Sequence, residues 1–235
     1  MTAWGPLAVA LVLAVASGAV ARADDPKLAP GRDPAGAAVA VIADGFDYTR
    51  ADVADVLARD GEGEAIAWDA VDGDHRPFKR DGKGTDAVLA AGVHGGVRVV
   101  AVRVVLDDAG SLARGLAFAA ATPARFLVVP LDAGAKAGLD VLKAAAQRFE
   151  AVLLVGSVPK LADGDKAEDL PNLIVLDAGA NGLAAAEAVA RVLGCNKGAL
   201  AGASGAELKT AFLARLDEKA LPRCAPQGGE EGKQR

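Results

Sequence analysis

Histidine is scarce in this chain, with only His75 and His94 among 235 residues. That scarcity excludes a histidine-rich metal centre. Cysteine is limited to Cys195 and Cys224, with neither CxxC nor Cys/His ligand spacing, so a zinc site is not expected. Aromatics make up 4% of the residues, so the core must be built from small aliphatic side chains. The net charge is -5, and no basic stripe occurs that would suit a nucleic acid. Gly92, Gly95 and Gly96 surround His94 without GxGxxG spacing, so no dinucleotide site is read there. Beyond the first 23 residues, no uncharged apolar run reaches membrane-spanning length.

Residues 1–23 carry an apolar run from Pro6 to Val20, then Ala21-Arg22-Ala23, a small-x-small cleavage pattern. The expectation is a signal segment and an exported, periplasmic or secreted chain, with a retained single anchor as the alternative. Residues 24–36 (DDPKLAPGRDPAG) read as a linker, 37–224 as one α/β domain, and 225–235 as a disordered tail. In an oxidising compartment a Cys195–Cys224 bridge would add about 3–4 kcal/mol. Two unpaired small apolar residues are the other possibility.

Continuous apolar runs alternate with helical patterns from Ala37 onward. Strands are expected at Ala37–Ile42, Glu64–Asp69, Val97–Leu106, Arg125–Pro130, Ala151–Val155 and Leu173–Leu176. Helices are expected at Arg50–Arg59 (capped by Thr49), Gly84–Ala91, Ser111–Ala121, Lys136–Phe149, Leu183–Leu193 and Ser204–Leu216. This alternation predicts a doubly wound, mostly parallel sheet flanked by helices, with right-handed crossovers. Its site would lie along the carboxyl ends of the strands.

Several segments resemble a known family. VAVIADGFDYTRADV (39–53) is similar to the aspartate segment of the subtilisin-like serine peptidases, the subtilases. WDAVDGDHRPFKRDGKGTDAVLAAG (68–92) resembles their histidine segment, NGLAAAEAVARVLG (181–194) their serine segment, and GASGAELKTAFLARL (202–216) their last helix. Order and spacing agree over roughly 37–216. The resemblance implies a subtilisin-like, shortened fold, because only PKLADGDKAEDLP separates the region of Val158 from Asn172.

It also implies where a Ser-His-Asp triad would stand, and each position is substituted. The aspartate position falls on Ala43, the histidine on Lys83, the serine on Ala184 (or Leu183), and the oxyanion-hole asparagine near Ser157. Asp44, one residue past the aspartate position, should point to the opposite face of the strand if the strand still runs there. Pro130 has no N–H to offer an extended peptide. The acidic loop Asp69, Asp72 and Asp74, with Asp81 nearby, is a weak calcium candidate by comparison with subtilase loops; a solvated acidic turn is its plainer role.

The first functional reading is therefore an exported, catalytically inactive subtilisin-like (peptidase S8-type) domain that binds an unknown peptide or protein, with no cofactor and no membrane contact beyond the signal segment. The alternative enzyme is a weakly active serine hydrolase pairing Ser157 with Lys83. A third reading is an unrelated Rossmann-like periplasmic binding domain.

Overall fold

The computed structural model describes residues 25–92, 96–131, 136–158, 170–177, 183–195, 200 and 202–216. Six strands form one wholly parallel sheet in the order β2-β3-β1-β4-β5-β6: β1 Ala37–Ala43, β2 Ala67–Asp69, β3 Val97–Arg103, β4 Phe126–Pro130, β5 Leu153–Val158 and β6 Leu173–Asp177. The helices are α1 Ala51–Ala54, α2 Gly84–Gly92, α3 Ala109–Ala120, α4 Lys136–Arg148, α5 Leu183–Cys195 and α6 Gly205–Leu216. The fold is the expected α/β architecture, a parallel sheet with helices on both faces.

The alternation of side chains along each strand divides the core into two layers. Val39, Val41 and Ala43 face α2, α5 and α6 through Val88, Ala91, Val189 and Phe212. Ala38, Ala40 and Ile42 face α3 and α4 through Leu112, Leu116 and Leu142. Both faces of β1 are buried, which is why its sequence is apolar without interruption.

The layers also reveal an exception to the expected handedness. The connections β3-α3-β4 and β4-α4-β5 move across the sheet in one direction beneath the α3/α4 face. The connection β2-α2-β3 moves in that same direction but over the opposite face. Its hand is therefore opposite to theirs, and it is the left-handed crossover in a sheet otherwise following the usual rule.

Several boundaries differ from expectation for identifiable reasons. Helix α1 stops at Ala54, because Val56–Ala58 turn extended and pair with β3: Val99 N donates to Val56 O and Ala58 N to Val99 O, both at 2.8 Å. Thr49 does not cap α1, since its hydroxyl donates to Asp47 Oδ1 and Arg50 takes the N-cap place without a side-chain bond. Asp108, not Ser111, caps α3, its Oδ1 accepting from Ser111 N at 2.6 Å, while Ser111 Oγ accepts from Val105 N. Ser204 caps α6, in a reciprocal box with Glu207.

Residues 25–36 have no regular structure, yet they form a strap fixed along the β2 side of the sheet. Arg76 Nη1 donates to Asp25 O, Tyr48 Oη to Pro26 O, and Arg59 Nη1 to Ala29 O. Gly31 N then donates to Gly63 O, and Asp33 Oδ2 accepts from Arg59 N and Arg98 Nη1. An edge strand presents unpaired backbone, and a covering segment is one way to protect it.

At its carboxyl end the sheet forks. Pairing of β1 with β4 stops at Val41 and Val128, whereas β1 stays paired with β3 through Ala43 and β4 with β5 through Pro130. This fork lies where connections leave in opposite directions, the place at which open α/β sheets form crevices.

Candidate functional site

The end of β1 and the head of α2 are built against each other. After Ala43 the chain turns at Gly45, whose φ of 134 belongs to glycine. Phe46 follows, fully buried, with its N–H on Pro77 O and its carbonyl accepting from Lys79 N. Gly82 and Gly84 then press directly onto this turn. A Cβ at Gly82 would overlap the Gly45 carbonyl oxygen, and one at Gly84 would lie 2.5 Å from Phe46 Cε1. The DGKGTD stretch is thus glycine-rich because two backbones touch there.

Polar groups complete the contact. Asp44 Oδ1 accepts from Lys83 N at 2.8 Å, and Asp44 Oδ2 meets Lys79 Nζ at 2.5 Å. Thr85 Oγ1 accepts from Asp47 N at 2.8 Å. The Asp44 carboxylate therefore sits at the N-terminal end of α2, where the helix dipole favours negative charge. Asp44 does not follow the strand alternation to the opposite face, because β1 ends one residue before it. Sequence reasoning missed its role, and the Asp-Gly pair after an apolar strand was the available signal.

The three positions that the sequence resemblance would assign to a triad share one rim of the sheet. Ala43 is the last residue of β1 and fully buried; Lys83 immediately precedes α2 and is exposed; Ala184 is the second residue of α5. Helices α2 and α5 pack side by side, and both begin at the carboxyl end of the strands. The Ala184 side chain lies outside the described residues. None of the three residues is a carboxylate, an imidazole or a hydroxyl.

Ser157 stands inside β5, paired with Pro130 and Leu176 and with no exposed surface. The strand expected at Ala151–Val155 is thus shifted, since β5 starts at Leu153 and runs on to Val158. Pro130 is the last residue of β4, half-buried and paired only with β5, at Ser157. His75 places Nδ1 3.0 Å from Ala67 O and its ring edge-on to Trp68, beside β2 and away from α2. His94 lies outside the described residues, as does the pairing of Cys195 with Cys224.

In the acidic loop, Asp69 and Asp72 share one cation. Arg103 Nη1, from the end of β3, lies 2.7 Å from Asp69 Oδ2 and 2.9 Å from Asp72 Oδ2. Asp69 is fully buried, and its other oxygen accepts from Val71 N and Asp72 N. Asp74 turns instead to Arg76 N. Asp25, from the strap, completes a group of three carboxylates within 4.8 Å of one another. Burial raises the Asp25 carboxyl above its ordinary value, Arg103 opposes this, and Asp72, Asp74 and Asp69 add to the rise. Calcium fits this set poorly, because the guanidinium already bridges the two oxygens an ion would need. Arg103 went unnoticed in the sequence because it interrupts an apolar strand over thirty residues away.

A cleft of about 260 Å³ opens on this rim between Asp44, Lys79, Arg103 and Asp107, floored by Val104 and Leu106. Val71 and Val105 stand exposed at its mouth. Such a surface can hold an apolar side chain between charges of both signs.

No known protein-family pattern matches the chain, and no curated protein matches it. Among solved structures, it is similar to a cold-adapted subtilisin-like serine proteinase, with 14% identity, a TM-score of 0.41, and coverage of 77% of this chain and 81% of that one. No residue role is carried across from that likeness.

Proposed function

We propose that this chain is an exported, non-catalytic binding domain that engages a peptide or protein at the carboxyl rim of its sheet, with the place of a catalytic triad taken by structural residues. The observation that carries this reading is the head of α2. There the Lys83 backbone and Lys79 are tied to the Asp44 carboxylate, and the neighbouring triad-aligned Ala43 is buried and apolar. Acyl transfer needs a nucleophile and a base within reach of each other and of the substrate. Ser157, the serine of the alternative enzyme reading, has no surface to offer a substrate. The exposed Val71 and Val105 beside the charged cleft supply the apolar contact a binding rim requires.

The test uses fluorescein-labelled casein with the folded chain, following anisotropy and release of small labelled peptides together. The reading expects anisotropy to rise without peptide release. Release at a rate proportional to chain concentration would overturn the non-catalytic half, and unchanged anisotropy the binding half.

A further inference from the structure

A cavity of about 450 Å³ lies between the strap and the β2 edge, and Pro77, whose carbonyl accepts from Phe46 N, separates it from the β1–α2 junction. Its walls are apolar, with Leu28 of the strap facing Tyr48, Leu57 and Phe118. Its size falls within the range of small-ligand sites. The charges in its lining are grouped by sign, with Asp25 bonded through its carbonyl to Arg76 beside the basic end and the Arg59 guanidinium bonded to Gly63 O beside the acidic end. Lys27 and Arg76 stand together at the start of the strap, where Arg76 Nη1 donates to Asp25 O. Asp60 and Glu64 stand at the far end, where Gly31 meets Gly63.

The spacing of the two ends follows from the β2 edge. Asp74 bridges Asp69 in antiparallel fashion, which sets Arg76 beside Ala67, in keeping with the contact of His75 on Ala67 O. Glu64 lies three residues before Ala67, which is about 10 Å along extended chain. Asp60 spends Oδ1 on the N–H groups of Glu62 and Glu64. Among the described residues, the Lys27 ammonium and the Glu64 carboxylate have no bonding partner.

We propose that this cavity binds a short apolar peptide of about three residues, its ammonium at Glu64 and its carboxylate at Lys27 and Arg76. An extended tripeptide spans about 10 Å, which matches the backbone offset from Glu64 to the Ala67 level where Arg76 stands. Its apolar side chain meets Leu28, Leu57 and Phe118. The occupant is a zwitterion because, among the described residues, the Lys27 ammonium at one end and the Glu64 carboxylate at the other have no bonding partner. The site is independent of the rim proposed above and would stand if that reading failed.

The probe is the tripeptide Leu-Ala-Leu, titrated calorimetrically into the folded full chain beside its N-acetylated and C-amidated forms. Saturable binding of the free peptide is expected, weakened about tenfold or more by either blocking group, since each removes one charge-assisted contact. Glu64→Gln is expected to weaken the free peptide by a similar factor and to abolish the discrimination against acetylation alone. The blocked peptides make the test independent of whether a variant folds. No saturable binding at millimolar peptide would overturn the proposal. So would equal affinity for the free and both blocked forms.

Discussion

At the β1–α2 junction, Gly45, Gly82 and Gly84 let two stretches of backbone meet with no room for a methyl group between them. At the β2 edge, a strap of similar Gly- and Pro-rich composition leaves a cavity of about 450 Å³ beneath it. Both regions are loops joined to the same sheet. The junction is closed by backbone contact and hydrogen bonds together, whereas the strap touches its neighbours closely at separate points, as at Gly31–Gly63 and Gly36–Gly96, and leaves space between them. Dense packing and free volume thus sit in different loops of the same sheet.

This contrast predicts unequal responses to substitution. Phe46→Ala, at the fully buried centre of the junction, is expected to cost about 3–5 kcal/mol in denaturant unfolding. Gly82→Ala forces a methyl group into the Gly45 carbonyl and should cost about 1–3 kcal/mol. Its counterpart at the strap end is Gly61→Ala, where a Cβ meets nothing within 4 Å, and stability should change by less than about 0.5 kcal/mol. Comparable losses at both glycines would erase the distinction between the two regions. Asp44→Ala removes the acceptor for Lys83 N–H at the head of α2 and should cost about 1 kcal/mol, with unfolding midpoints as the readout.

The smallest effect concerns acid. Burial pushes the Asp33 carboxyl upward, but the N–H groups of Arg59 and Ala35 and the side chain of Arg98 outweigh it and hold the group below its ordinary 3.8. The folded state then binds fewer protons than the unfolded one between the two values, so this contribution is complete above about pH 4 and fades as pH falls through the folded value. Hydrogen exchange of Arg59 N–H, which Asp33 accepts, should accelerate relative to core amides below that point. Loss of protection beginning near neutral pH would assign the latch to another group.

The sequence made the sheet legible because β1, β3 and β4 are buried on both faces, which writes a continuous apolar run into each. It hid whatever depended on a distant partner. Val56–Ala58 continue a helical pattern, yet the edge of β3 draws them into extended pairing. The strap looked like a free linker because its fixing bonds reach partners 22 to 65 positions away. Asp44 followed no strand alternation because the strand had ended, and Arg103 gave no sign that it would neutralise the Asp69 loop. The assignment of Ala43, Lys83 and Ala184 to triad positions came only through a resemblance, whereas Gly82 and Gly84 announced a close approach by themselves.

The central claim is that no activated nucleophile survives at the rim. The most direct measurement is labelling of the folded chain with a fluorophosphonate serine-hydrolase probe, beside Ser157→Ala. No labelling of either form is the predicted result. Labelling of the native chain that disappears in Ser157→Ala would contradict the account and turn attention to Lys83 as its base.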